Sequence, residues 1–355
     1  MQARVRAMKD ILKVSLAGLM VPLTLRSLLT LMVPLTLIAL IGLAGPAAHA
    51  RTTPGPLVSV QQLQGLIQTG KVVVLDTREL LQTDQKTPNF TASHIPGAQP
   101  LPYSLFRGPK ESPGAVVPIA TLEKILLPLG MKTTDPIVLL GSGSDATEFG
   151  GVARVYWTLK AAGFKDLAIL DGGLGAWMAA KLPLESGQAK PRSPRSGDNR
   201  LQYNPSLLLS TPQAHALASP QAAMRPVFVD ARPEDFFLGQ MRHPSAARWG
   251  TIAQAKWFDS EEWFVPNTGR LLPKERILTV AKREGLLQQP TVQFCNTGHW
   301  AATNWFILSE VLGQPNTLMY ADSVVGWSQA GLPMDNEPSR ATALLWQAKG
   351  SGVAR

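Results

Sequence analysis

The sequence predicts an α/β protein of two tandem domains, each a mostly parallel sheet flanked by helices. Three observations carry this. An internal repeat runs through the chain. Apolar β-branched runs alternate with helical segments over about 130 residues in each half, as parallel sheets require. A stretch with almost no apolar content, SGQAKPRSPRSGDNR from Ser186 to Arg200, separates the halves. At 355 residues the chain has the length of two ordinary domains. The expected division is a leader over 1–50, a first domain over 51–185, a linker over 186–200, a second domain over 201–340 and a polar tail over 341–355.

Residues 1–26 mix basic and apolar side chains, and Ser27 to Gly45 carries no charge. Ala48-His49-Ala50 then forms a small-x-small site ahead of polar Arg51-Thr52-Thr53-Pro54. Positive flank, apolar stretch and such a site read as a secretory signal cut after Ala50. The alternative is a retained membrane anchor, since nineteen uncharged residues just span a bilayer. Pro34 and the cleavage site favour removal. Either way the body is expected outside the cytoplasm, periplasmic or secreted, and meets a membrane only if the segment stays. Of the net charge of +9, the first 50 residues hold +4, from five basic residues and Asp10, which leaves +5 for the remaining 305. That balance does not mark a nucleic-acid binder. The single Cys excludes an internal disulfide framework and a Cys-cluster zinc site.

The repeat can be followed element by element. Lys71 to Arg78 reads KVVVLDTR and Arg225 to Arg232 reads RPVFVDAR, buried-strand runs ending in Asp-x-Arg, with Asp76 and Asp230 154 residues apart. PIVLLG ends at Gly141 and PTVQFC at Cys295, again 154 apart. A Gly-bearing loop and an amphipathic segment follow each, Val152 to Ala162 and Ala301 to Leu312. A third strand comes next, LAILDGG against NTLMYAD. Trp177 and Trp327, like Leu182-Pro183 and Leu332-Pro333, then stand 150 apart. Beyond Asp335 the chain turns polar, with ATALLWQA a short helix.

Cys295 lies at the end of a buried run, before Asn296-Thr297-Gly298-His299-Trp300 and the start of a helix. Loop amides and the helix dipole at such a place favour thiolate over thiol and hold a negative group on the sulfur. The plainer alternative is a buried inert cysteine.

The tandem repeat, the Asp-x-Arg strands, His94-Ile95-Pro96-Gly97-Ala98, Asp171-Gly172-Gly173 with Trp177, and the Cys loop in the second half together resemble the two-domain rhodanese (sulfurtransferase) family over roughly Leu57 to Asp335. The resemblance implies two rhodanese-like domains, with the catalytic Cys in the second and Gly141 at its place in the first. It implies an exported form of the thiosulfate or 3-mercaptopyruvate type. Cys295 takes sulfur from a small sulfur-containing anion as a persulfide and passes it to cyanide or a thiol, with no metal or organic cofactor.

Departures from the family pattern bear on the donor. Asn296 and Thr297 stand where thiosulfate-using relatives carry basic residues, and Thr297 where mercaptopyruvate-using relatives carry Ser. His299 and Trp300 fit neither pattern. Phe236 occupies the place of an anion-binding Arg, so Arg242 and Arg248 are candidate substitutes for binding the donor; Arg232 is a third candidate, with a bracing ion pair as its other role. His299 is weighed as a partner of the thiolate or proton donor against a helix cap. His94 is expected to order the turn at Pro96, with a triad-like role beside Thr297 and Asp84 the weaker reading. A Cys-dependent phosphatase of this fold needs an Arg six residues after the Cys, where Ala301 stands. A carrier or docking module without turnover, and a structural periplasmic protein with two inactive domains, are the remaining rivals.

Overall fold

The computed structural model describes residues 51–192, 200–348 and Gly352. The expected leader, the centre of the expected linker (193–199) and the rest of the tail lie outside the described residues. The first half runs β1 (Leu57–Val58), α1 (Val60–Gln68), β2 (Val73–Asp76), β3 (Gln99–Pro100), α2 (Ile119–Leu126), β4 (Ile137–Leu140), α3 (Ala146–Ala161), β5 (Leu167–Leu170) and α4 (Gly173–Ala179). The second half runs α5 (Thr211–Ala218), β6 (Val227–Asp230), α6 (Glu234–Phe237), β7 (Thr251–Ile252), β8 (Lys256–Trp257), α7 (Lys274–Arg283), β9 (Thr291–Phe294), α8 (Trp300–Trp305), β10 (Thr317–Met319), α9 (Ser323–Gln329) and β11 (Met334–Asp335). The polar tail forms α10 (Arg340–Ala348).

The five strands of the first sheet stand in the order β1-β5-β4-β2-β3, and the four of the second in the order β10-β9-β6-β8. Every pairing within these two sheets is parallel. Strands β2, β4, β5 and β9 are buried end to end, and β6 beyond its first residue, because helices cover both faces. The repeat in sequence is a repeat of register. Val73 pairs with Ile137 and Asp76 with Leu140, and 154 residues later Val227 pairs with Thr291 and Asp230 with Phe294. A separate antiparallel pair, β7 with β11, closes the second half.

Two further repeated signals acquire a physical reason. Each Trp reaches the Leu-Pro that follows it: the Trp177 indole donates to Pro183 O and the Trp327 indole to Pro333 O, both at 2.8 Å. Each Asp-x-Arg is an internal fork, with Arg78 Nη2 2.6 Å from Asp76 Oδ2 and Arg232 Nη2 2.6 Å from Asp230 Oδ2.

Apolar packing occupies three layers. The outer face of the first sheet packs Val74, Val138, Leu170 and Trp177; that of the second packs Phe228, Val292, Phe294 and Trp327. Between the sheets one continuous core joins the halves, with Phe149, Tyr156 and Trp157 of α3 meeting Trp305 and Phe306 of the second half. Here the structure differs from the sequence reading. The segment expected to be amphipathic over Val152 to Ala162 is a longer helix, buried on nearly every side. A helix enclosed by a sheet on one side and a second helix on the other has no solvent face to keep polar. The helix expected over Ala301 to Leu312 is α-helical only to Trp305 and widens into a π-helical turn over Phe306–Val311. No helix among the described residues is long and apolar enough to cross a membrane.

Because this middle core is shared, the two halves are expected to unfold together. Phe306 is fully buried and meets Tyr156 edge-on at 5.0 Å and Phe149 at 5.7 Å. Phe306→Ala should cost about 3–5 kcal/mol and lower one calorimetric transition. Two resolved transitions in the wild type would contradict a shared core.

Candidate active site

The loop from Cys295 to His299 leaves the end of β9 and enters α8 at the seam between the halves. Ser323 shapes its floor. The Ser323 hydroxyl accepts from the Cys295 amide at 3.0 Å and the Gly298 amide at 3.2 Å, and donates to Tyr320 O at 2.8 Å. Ser323 does this with φ +52°, a left-handed backbone that costs a non-glycine residue about 1–3 kcal/mol. Its counterpart 150 residues earlier, Gly173, has φ +53°. The hydroxyl is therefore what the strained position supplies. Arg232 holds the loop from the other side, its Nη1 donating to Asn296 Oδ1 at 3.1 Å and its Nη2 to Gly250 O at 2.8 Å. Among the described residues, no acceptor engages the amides of Asn296, Thr297 and His299. Such amides around a sulfur form a cradle for an anion.

Cys295 has no solvent-exposed surface, yet it is not enclosed by hydrocarbon. It lines a cavity of about 230 Å³ whose wall includes Asn296, Thr297, His299 and Trp300 of its own loop, His243, and Tyr103 and Arg107 of the first half. Arg107 bridges the seam. Its Nη2 donates to Thr297 Oγ1 at 2.9 Å, and its Nη1 to Thr297 O at 3.2 Å and the Tyr103 hydroxyl at 2.8 Å. The Thr297 hydroxyl proton stays available to a ligand.

His299 works as a strut. Its Nε2 lies 2.6 Å from Thr147 O and its Nδ1 3.1 Å from the Tyr103 hydroxyl. The carbonyl can only accept, which assigns the proton to Nε2 and makes Tyr103 the donor to Nδ1. Burial between the halves pushes the His299 pKa down to about 4, so the ring is neutral at pH 7. With both nitrogens engaged on the first half, it is placed neither to pair with the sulfur nor to protonate a leaving group. Trp300 likewise reaches across, its indole donating to Thr147 Oγ1 at 3.3 Å. Burial also raises the Tyr103 phenol and, with the charges of Arg107 and Arg242, lowers His243, so both are neutral at pH 7.

The other sequence candidates fall elsewhere. Arg232 is 1% exposed with its fork on Asp230, the bracing role expected of it. Arg242 lies 4.5 Å over the Trp249 ring and donates to Ala246 O, and Arg248 pairs with Glu337 and donates to Leu332 O at 2.8 Å. Neither lines the Cys295 cavity; the cation there is Arg107. His94 is buried, stacks on Phe90 and faces Phe90 O through Nδ1 at 2.9 Å, while the Asp84 carboxylate is turned to Thr87 and Lys86. The structure thus gathers no triad from His94, Thr297 and Asp84. Arg107 and Tyr103 were missed because the cation was sought in the half that carries the Cys. Arg107 has no basic counterpart: with Gln99 of β3 matched to Lys256 of β8, Phe264 stands at its place, 157 residues on.

The corresponding loop of the first half shows why it holds no cysteine. The Ser142 and Gly143 amides donate to Glu148 Oε1 at 2.8 Å and Oε2 at 3.0 Å. The chain's own carboxylate fills the cradle, and a Cβ at Gly141 would overlap it. In the second half Ala302 replaces Glu148, which leaves the cradle free. Among the described residues no group of three or more His, Cys, Asp or Glu is gathered to hold a metal ion.

Residues 59–180 match the model of the rhodanese-like domain. A Pseudomonas aeruginosa protein named "Probable 3-mercaptopyruvate sulfurtransferase" is 30% identical over 76% of this chain and 94% of its own length. The thiosulfate sulfurtransferase YnjE of Escherichia coli is 28% identical over 67% of this chain, which spans 54% of that protein. The crystal structure of SseA from Escherichia coli, a 3-mercaptopyruvate sulfotransferase, superposes with a TM-score of 0.63 at 22% identity, over 76% of this chain and 98% of that one.

A neutral His299 gives a signed pH dependence. Its folded pKa of about 4 lies below the ordinary 6.5, so the unfolded chain binds the extra proton first. The strut's contribution is intact above pH 6.5 and should fade as pH falls toward 4. Melting temperatures at pH 7 and pH 5 should show a smaller acid loss in His299→Gln than in the wild type. Equal losses would refute the assignment.

Proposed function

The chain belongs to the rhodanese family of sulfurtransferases, and we propose that it moves sulfane sulfur from a small anionic donor to a thiophilic acceptor through a persulfide on Cys295. The observation that carries this reading is the Cys295 cavity, with the sulfur on its floor, three free loop amides beside it and a guanidinium at its wall. Its volume is below that of pockets for drug-sized ligands, which start at about 300 Å³. That suits a donor of a few heavy atoms.

The steps follow from this arrangement. With thiosulfate, the Cys295 thiolate attacks the outer sulfur, the S–S bond breaks, and sulfite leaves with the bonding pair. With 3-mercaptopyruvate, the thiolate attacks the thiol sulfur, the C–S bond breaks, and the pyruvate enolate leaves and takes up a proton. Arg107 neutralises the donor's sulfonate or carboxylate, and the Thr297 hydroxyl donates to it. The loop amides then hold the anionic persulfide as an oxyanion hole holds oxygen. In the second half-reaction cyanide or a thiolate attacks the outer sulfur and releases the Cys295 thiolate, which completes a double displacement. These steps call for no metal or organic cofactor.

We also read residues 1–50 as an export signal, which makes the working protein periplasmic or secreted. The basic flank, the uncharged stretch and Ala48-His49-Ala50 support that reading. Intact mass of the protein recovered outside the cytoplasm tests it, with a start at Arg51 expected.

Wild-type protein should yield thiocyanate from cyanide and at least one of the two donors over many turnovers. Cys295→Ser should lose more than about a thousandfold. A single turnover followed by arrest would point instead to a carrier. Arg107→Ala removes a charge-assisted hydrogen bond of about 1.5–3 kcal/mol and should raise KM for the anionic donor about 10- to 100-fold. Arg242→Ala and Arg248→Ala should leave KM within about twofold, and a larger effect there would relocate the anion site.

A further inference from the structure

Arg154 lies in the middle of α3, the helix that packs against the Cys295 side of the second half, and is 1% exposed. One nitrogen is satisfied, Nη2 donating to Gly114 O at 2.8 Å. Its Nε and Nη1 are buried without a hydrogen-bond partner. The guanidinium carbon sits 5.0 Å from the centre of the Trp157 ring. No ion pair to it is found among the described residues, and Asp322 acts on it only through space. Nη1 is aimed into the Cys295 loop: a Cβ on Gly298 would overlap it, so the loop needs glycine there, at φ +73°. In the second half the position 154 residues on is Leu308, an ordinary core residue.

A cation taken out of water with two donors unsatisfied is strongly destabilising unless an anion accompanies it. The titratable groups close enough to act electrostatically on Arg154 are Tyr103 and Arg107 from the loop after β3, Cys295 after β9 and Asp322 before α9. Tyr103 is a buried phenol that burial keeps protonated, and Arg107 carries the same sign. Asp322 is the standing carboxylate of this set and makes no ion pair with Arg154 among the described residues; the sulfur is the group that becomes anionic during the proposed reaction.

We propose that the Arg154 guanidinium of the first half is the buried counter-charge of the Cys295 sulfur and holds it as thiolate and persulfide. This rests on the sulfur chemistry proposed above and deepens it, since Arg154 is then a positioning residue supplied by the half that lacks the nucleophile. Burial and the like charge of Arg107 work against the charge on Arg154, while Asp322 works for it, as does the Cys295 sulfur once it is anionic. An anionic sulfur and a charged Arg154 therefore sustain each other.

The test compares Arg154→Met, Arg154→Gln and Arg154→Lys with the wild type in the full chain. Cys295 is the one cysteine, so subtracting the ultraviolet spectrum of Cys295→Ser isolates its thiolate absorbance. The Met and Gln variants should lose at least half of that absorbance at neutral pH and load sulfur from thiosulfate at least tenfold more slowly by intact mass. Their melting temperatures should stay level or rise. Arg154→Lys keeps the charge without the fork and should recover most of both signals. Wild-type absorbance in the Met and Gln variants overturns the proposal, and so does a Lys variant no better than they are. If Arg154→Met does not fold, the contrast between Gln and Lys decides by the same criteria. Failure of the persulfide mechanism shows differently, as sulfur transfer by Cys295→Ser.

Discussion

The packing of α3 against α8 is the contact on which the rest of the molecule depends. It joins two sheets with the same register into one middle core and brings their C-terminal edges to a common seam. In an α/β sheet those edges are where ligands sit. Placing them face to face lets each half cover the other. The segment after β3 lays Tyr103 and Arg107 over the Cys295 loop. Its counterpart in the second half reaches the first-half loop, where Leu271 N meets Asp171 Oδ1 at 3.1 Å and Gly269 lies against Gly143. The exchange is mutual, but only one of the two covered cradles is free.

Charge is distributed across this seam with a consistent sense. The second half supplies the sulfur, the free amides and the Ser323 floor. The first half supplies Arg107 at the cavity wall and Arg154 beneath the loop. Neutral side chains separate them: His299 with its proton on Nε2, and Tyr103, which donates to it. Both rings are satisfied by fixed partners, so the site is rigid where it is uncharged and open to a ligand beside the sulfur. Low polarity around such a cluster strengthens each interaction within it.

How much of this was legible in the sequence follows from the range of the interactions involved. The α/β class and the tandem plan were legible because strand runs, Asp-x-Arg forks and the Trp that reaches a following Leu-Pro are local patterns repeated at fixed offsets. The Cys295 loop was legible for the same reason, as a strand end followed by a helix start. Arg107 was not, because what makes it matter is a contact with Thr297 190 residues away. Arg242 and Arg248 looked suitable by position and are held elsewhere, by Trp249 and by Glu337. His299 looked chemical by its distance from Cys295, yet a helix start turns it toward the first half. Arg154 carried a signal that periodicity alone undervalues, one cation inside an otherwise apolar run.

The carboxylate in the first-half cradle has a consequence for what this chain can become. A cysteine introduced at position 141 would collide with Glu148, and removing Glu148 alone would leave a vacant nest with no nucleophile. Neither change is useful without the other. The asymmetry between the halves is thus guarded by a ratchet: these two substitutions must come together, the silent half still lacks at Gly173 the hydroxyl that Ser323 supplies, and either single change forfeits a satisfied loop.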